Sequence, residues 1–234
     1  MFLKLLWDDL LNLIFPNCCV HCNSIIGNRK AYLCDECKKK IQYKDYHLYP
    51  NNNELFYELY KQTHINMAFA MCLFVNYGPV QSLMHYLKYK GCTDIGMRLG
   101  EVYGQMLQES LTKKFDIIVP IPLHSIRLKQ RGYNQSDFIA RGMNKYLHTP
   151  IDTTSVIRCK NTKSQTTKGK YDRILDMRDA FKVVDPAALK NKRILVVDDI
   201  ITTGATITSC AKTIKNSCSC HVSVCAIAKT MSEF

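Results

Sequence analysis

The clearest pattern along the chain is a series of short apolar runs, each closed by polar residues. Residues 194–197 read Ile-Leu-Val-Val, then come Asp198 and Asp199, Ile200 and Ile201, and then Thr202, Thr203, Gly204, Ala205 and Thr206. A continuous apolar run of this length suits a strand buried on both faces, as in a parallel sheet. The stretch 205–215 has helical character, so the unit reads as strand, loop and helix start. Buried-strand patterns recur at 116–119 and 221–228, a longer strand-like pattern covers 65–75, and short strands are expected at 155–158 and 180–184. Helices are expected at 80–89, 95–111 and 136–147. Gly91 terminates the first of these, and Lys88 and Lys90 complement its C-terminus. The resulting class is α/β, a mostly parallel sheet flanked by helices.

Ahead of this lie three smaller parts. Residues 1–15 pattern as an amphipathic helix, with Leu3, Leu6, Leu10 and Leu13 on one face. Asp8 and Asp9 interrupt its apolar run, which argues against both a secretion signal and a membrane span. The helix is expected to pack on the next module, and Pro16 ends it. Residues 16–45 carry two Cys-x-x-Cys pairs. Residues 46–66 read as a connector. The main domain is expected over 67–234. Tyr43, Tyr46, Tyr49, Tyr57 and Tyr60 interleave with lysines around the connector. Such interleaving can stack nucleic-acid bases, and it is more often amphipathic filler.

The chemistry concentrates at the end of the central strand. Asp198 and Asp199 fall at its carboxyl end, where ligands gather in open α/β sheets. Two adjacent carboxylates can accept hydrogen bonds from a vicinal diol such as the ribose 2′- and 3′-hydroxyls, and can also sit near a hydrated Mg²⁺. The loop 202–206 offers backbone N–H groups and three hydroxyls at a helix N-terminus, which suits a phosphate dianion. Gly204 lets the backbone approach closely. Diol and phosphate sites on one strand-loop-helix unit describe a ribose 5-phosphate site.

Length, charge and cysteine usage refine the picture. The 234 residues accommodate one domain with an appendage, and 47% hydrophobic residues is ordinary for a globular chain. A net charge of +12 suits polyanions, whether pyrophosphate compounds or nucleic acid, or else a solvated basic surface. Of twelve cysteines, Cys19, Cys22, Cys34 and Cys37 have the spacing of a four-thiolate zinc ribbon. The segment between the pairs has too few apolar residues for a core of its own, and a metal would supply the missing stabilisation. A closed site of this type leaves no open coordination position for catalysis. Cys18 and His21 lie close enough to substitute as ligands. Cys218, Cys220, His221 and Cys225 resemble ligand spacing too, at the start of a buried strand where cysteine is common as a small apolar residue. Reduced thiols, some on a metal, fit a cytoplasmic protein better than a disulfide framework does.

Residues 194–206 match at every position the signature for 5-phosphoribosyl 1-pyrophosphate (PRPP) of type I phosphoribosyltransferases, and the domain resembles that superfamily. The motif order is more specific: zinc ribbon, basic helix, Pro120-x-Pro122-x4-Arg127-x3-Arg131-Gly132-Tyr133-Asn134-Gln135, Arg158-x3-Thr162-x2-Gln165, PRPP loop. From residue 10 to 228 this resembles the ComF family of bacterial competence-associated, phosphoribosyltransferase-like proteins. The resemblance implies PRPP contacts from Asp198, Asp199, Ile200, Thr202, Thr203, Gly204, Ala205 and Thr206. It implies a pyrophosphate loop with Pro120, Arg127 and Arg131, used with Mg²⁺. A polar, basic flap over 161–178, between two core strands at 155–158 and 180–184, would place a residue such as Arg173 over the reacting centre. Asp198 and Asp199 would then support positive charge developing at C1′ as a nitrogen nucleophile displaces pyrophosphate. Many members have Asn a few residues after the flap arginine, and here Met177 stands near that place. Members are associated with uptake of transforming DNA beside a helicase. The rival expectation is therefore a non-catalytic binder of single-stranded DNA or nucleotides, since no base-selecting residue is evident.

Overall fold

The computed structural model describes residues 16–28, 31–111, 115–160 and 180–231. The expected N-terminal helix and the flap, with Arg173, lie outside the described residues. Strands β1 (Ala68–Phe74), β2 (Ile117–Pro120), β5 (Arg193–Ile201) and β6 (His221–Thr230) form one sheet in the order β1-β6-β5-β2. Every pairing in it is parallel. Side chains alternate across the sheet. Ile194, Val196, Val222, Val224 and Ala226 enter one core, and Leu195, Val197, Cys225 and Ile227 enter the other. Period-two alternation with both faces covered explains why β5 is apolar without interruption.

One face is covered by α2 (Glu54–Thr63) and α8 (Ala205–Ser217), the other by α3 (Pro79–Tyr89), α4 (Thr93–Ser110) and α6 (Gln135–Leu147), while the short α1 (Asp35–Lys39) lies in the cysteine segment and the short α7 (Pro186–Leu189) precedes β5. Helix α2 occupies the expected connector. Asn53 Oδ1 caps it by accepting the Phe56 N–H at 2.8 Å, and Leu55 and Leu59 are fully buried. The i, i+4 leucine pair sits in a run of tyrosines, most of them exposed, and this hides its period. Tyr46 is the exception: it is buried and its hydroxyl donates to Glu54.

Helices α4 and α6 cross at glycines. A Cβ on Gly104 would lie 2.7 Å from both the Cα and the carbonyl oxygen of Met143, and one on Gly100 would lie 3.0 Å from the Cα of Gly142. The helices can approach this closely because no side chain stands between them.

Two expectations are corrected. Strands β3 (Val156–Arg158) and β4 (Phe181–Val183) do not join the main sheet; they form a separate antiparallel pair. Their outward residues Ile157 and Lys182 are exposed while Val156, Phe181 and Val183 are buried. One-sided burial suits an antiparallel pair lying on the domain, not a central parallel strand. The flap segment therefore joins two strands of this pair rather than two core strands. The region after β2, expected as a loop, contains the short helix α5 (Ser125–Arg131). It has no buried residue and so no apolar period, and Gly132 ends it at φ 83°.

Both outer strands are flanked by irregular backbone. Lys44 N–H donates to Met71 O and Leu73 N–H to Gln42 O, each at 2.9 Å, along β1. Ile118 N–H donates to Pro150 O at 2.8 Å and Asp152 N–H to Ile118 O at 2.9 Å, along β2.

Candidate functional site

Strand β5 ends between β2 and β6, with Val197 beside Pro120 and Asp198 beside Ala226. Asp198 Oδ1 accepts from the Ser136 hydroxyl at 3.2 Å, at the start of α6, and from the Asp199 N–H at 2.9 Å. Asp199 is buried, and its Oδ2 lies 3.0 Å from Lys88 Nζ on α3, off the ideal hydrogen-bonding direction but close enough for an ion pair. Burial first, and the Asp199 charge second, push the Asp198 carboxyl up to about 7. Arg158, on β3, adds a third element: its guanidinium stands 5.4 Å from the Phe181 ring centre and interacts electrostatically with Asp198 and Arg127. Burial lowers the Arg158 pKa, the Asp198 charge opposes that, and Arg127 reinforces it.

The loop after β5 leads straight into α8. Gly204 occupies the N-cap in the left-handed region, φ 74°, where glycine carries no Cβ penalty. A Cβ there would run into Leu59 of α2, so α2 backs the loop directly. Thr208 returns to the turn, its N–H and its hydroxyl donating to Gly204 O at 2.9 and 2.8 Å. No acidic residue occupies the first turn of α8, so its positive dipole end keeps its attraction for an anion. Thr202 is exposed, Thr203 and Thr206 are half-buried, and Ile200 packs partly into the core.

The remaining candidates divide. Arg127 comes within electrostatic reach of Arg158. Arg131 faces elsewhere: it donates to Gln135 and stands 5.7 Å from the Tyr89 ring centre. Pro120 is a buried strand residue beside Val197. Lys88 and Ser136 are not among the site residues expected from sequence, although Lys88 follows Met84 by four residues on the buried stripe of α3. A lysine on an apolar stripe is the signal that marks it.

At the other end of the chain the thiols of Cys19, Cys22, Cys34 and Cys37 all lie within 4.8 Å of one another. Cys22 and Cys34 Sγ are 3.6 Å apart. A tetrahedral ion with metal–sulfur distances of ~2.3 Å needs sulfurs ~3.8 Å apart, so this set can hold one metal. The Ser24 hydroxyl and backbone hydrogen bonds draw the Cys22 thiol down to about 6, toward the thiolate a metal requires. His21 turns away, Nδ1 being 3.0 Å from Ser82 Oγ on α3. Cys225 is buried in one core while Cys218 and Cys220 pack on the other, so the second cysteine group is split by the sheet.

Fold and site together define a type I phosphoribosyltransferase fold carrying a four-cysteine module. No family model matches the chain. Competence protein F of Haemophilus influenzae is 25% identical over 206 residues, which are 84% of this chain and 90% of the relative. The DNA utilization protein YhgH of Escherichia coli K12 is 28% identical over 160 residues, 65% of this chain and 68% of the relative. Competence protein ComFC of Bacillus subtilis is 30% identical over 120 residues, 51% of this chain and 47% of the relative. These likenesses support the resemblance to the ComF family. Among solved structures, a glutamine PRPP amidotransferase from B. subtilis superposes with TM-score 0.40 at 15% identity, covering 68% of this chain and 32% of that one. An adenine phosphoribosyltransferase from Leishmania tarentolae gives 0.39 at 9% identity, covering 76% and 88%. Among the described residues no helix is long and apolar enough to cross a membrane.

Proposed function

We propose that this protein binds PRPP or a related ribose 5-phosphate compound and works in the cytoplasm in competence-linked DNA uptake. The observation that carries the reading is the acidic pair of β5 leading directly into the Gly204-capped start of α8. In this reading Asp198 and Asp199 accept the ribose hydroxyls. The loop 202–206 takes the 5′-phosphate on backbone N–H groups and threonine hydroxyls. Arg127, from α5, faces the pyrophosphate, with Pro120 shaping the strand end and Arg131 held in reserve on Tyr89. Mg²⁺ accompanies the pyrophosphate and offsets its charge. Catalysis of glycosyl transfer would rest on positioning and electrostatics, with Arg173 of the flap over the centre. The four-cysteine module holds structural Zn²⁺. The names of the relatives, competence protein F and DNA utilization protein, support the cellular assignment.

The test is calorimetric titration of zinc-replete protein with PRPP, with and without Mg²⁺. Binding that depends on Mg²⁺ and is lost in the Asp198→Asn/Asp199→Asn double variant is expected. Absence of binding by folded, zinc-replete protein refutes the ligand assignment.

A second reading has its own support, the charge of +12 and the exposed Tyr89 stacked with Arg131. Here the protein is a non-catalytic factor holding single-stranded DNA or a nucleotide beside a helicase. Its affinity for single-stranded DNA must fall steeply with salt, and a flat salt response removes it.

A further inference from the structure

The acidic pair looks at first like a place for a divalent ion, but a cation of the protein already stands against Asp199. Lys88 Nζ stands 3.0 Å from Asp199 Oδ2, with the two side chains only 22% and 5% exposed. The positive charge of Arg158, on β3, also acts on Asp198. Ser136 fills one further acceptor direction of Asp198. Asp199 thus has a counter-ion at contact distance, supplied by a separate element. Lys88 cannot swing into solvent without leaving the buried Asp199 carboxylate uncompensated.

We infer that Lys88 is a specificity-determining residue: it is the resident counter-ion of the acidic pair, reserving it for hydroxyl donors and excluding a free divalent metal. A vicinal diol brings neutral donors and needs no charge from the protein to be displaced. A divalent cation would need Lys88 to leave, because a like charge at this distance in a partly buried site strongly opposes it. Metal can then enter the site only on the ligand's own phosphates. Lys88 acts through Asp199 and is a positioning residue, not a catalytic one. The inference rests on the site proposed above, but its test uses metal alone and no phosphoribosyl compound.

Mn²⁺ serves as the probe, followed by electron paramagnetic resonance on full-length protein already loaded with zinc. Manganese is a weak competitor for thiolates, so the cysteine module does not interfere. Wild-type protein should show no Mn²⁺ binding that depends on Asp199. Lys88→Met should bind Mn²⁺ at least about tenfold more tightly than wild type, the effect of removing one nearby charge. Lys88→Arg should return to the wild-type value, because it restores the charge. Adding Asp199→Asn to Lys88→Met should abolish the gained site. A purely structural role for Lys88 would not yield charge-specific rescue. Lys88→Met no tighter than wild type overturns the inference. So does wild-type Mn²⁺ binding that Asp199→Asn removes, a result that requires no Lys88 variant to fold. Failure of PRPP binding would refute the proposed ligand and leave this metal test standing.

Discussion

Substituting alanine for Gly104 should destabilise the protein, against the usual sign of such a change. In an open helix interior Gly→Ala gains ~1 kcal/mol from propensity. Here the added Cβ would meet the Met143 Cα and carbonyl oxygen at 2.7 Å, whereas ordinary contact begins at 3.4 Å. The difference, 3.4 − 2.7, asks the α4–α6 crossing to open by about 0.7 Å, and both obstructing atoms belong to backbone, which cannot rotate away. Overpacking of this type costs ~3 kcal/mol at the upper end of the common range. The net is ~2 kcal/mol of lost stability. With a urea dependence of ~2 kcal/mol per molar, the unfolding midpoint falls by ~1 M. Gly100→Ala should lose more, since its Cβ would press closer still on the Ile139 carbonyl oxygen. Equilibrium urea unfolding of zinc-loaded protein, followed by circular dichroism, reads both. An unchanged or raised midpoint for Gly104→Ala would show that the helices part without strain, and the packing argument would be wrong.

The Asp198 carboxyl gives a prediction with a definite pH sign. Its folded pKa lies above the ordinary 3.8, at about 7, so its contribution to stability is complete below 3.8 and is lost as pH rises through about 7. Asp198→Asn should therefore raise the urea midpoint at pH 8 more than at pH 5; an equal gain at both would contradict the burial of its charge. For the cysteine module, Cys37→Ser should lower bound zinc from one equivalent to well under half by elemental analysis. It should also lower the thermal midpoint of the whole domain, because Cys19, Leu33 and Cys37 pack in the same core as α3 and α4. A domain midpoint unchanged by zinc loss would make the module an independent appendage.

How far the fold could be read ahead depended on whether burial imposed a period. Strand β5 is buried on both faces, and its apolar run, acidic end and loop were legible residue by residue. The helices α3, α4 and α6 were legible too, to within two residues. Helix α5 left no trace because all its residues face outward or half outward, and only the His124 cap and Gly132 stop define it. Helix α2 was hidden by tyrosines, although Leu55 and Leu59 are among the most buried residues. Strands β3 and β4 were found as strands but assigned to the wrong sheet, since three-residue runs carry too little pattern to tell one-sided from two-sided burial. The acidic pair was legible from its own segment. Lys88, Ser136 and Arg158 reach it from three distant elements, and only the folded chain brings them together.

The irregular backbone along β1 has a consequence for how the protein fails. A strand at the rim of a sheet carries unpaired N–H and C=O groups that invite pairing with another chain. Residues 42–44, immediately after the cysteine module, occupy that rim by their hydrogen bonds to Met71 and Leu73. Oxidation or metal stripping that loosens the module would let this cover lift and leave a sticky, apolar strand at the surface. The damaged protein would then be lost by self-association, at a rate that climbs with concentration, while most of its core remained folded. On this argument the four cysteines serve as a latch against aggregation, set on the β1 rim of the sheet.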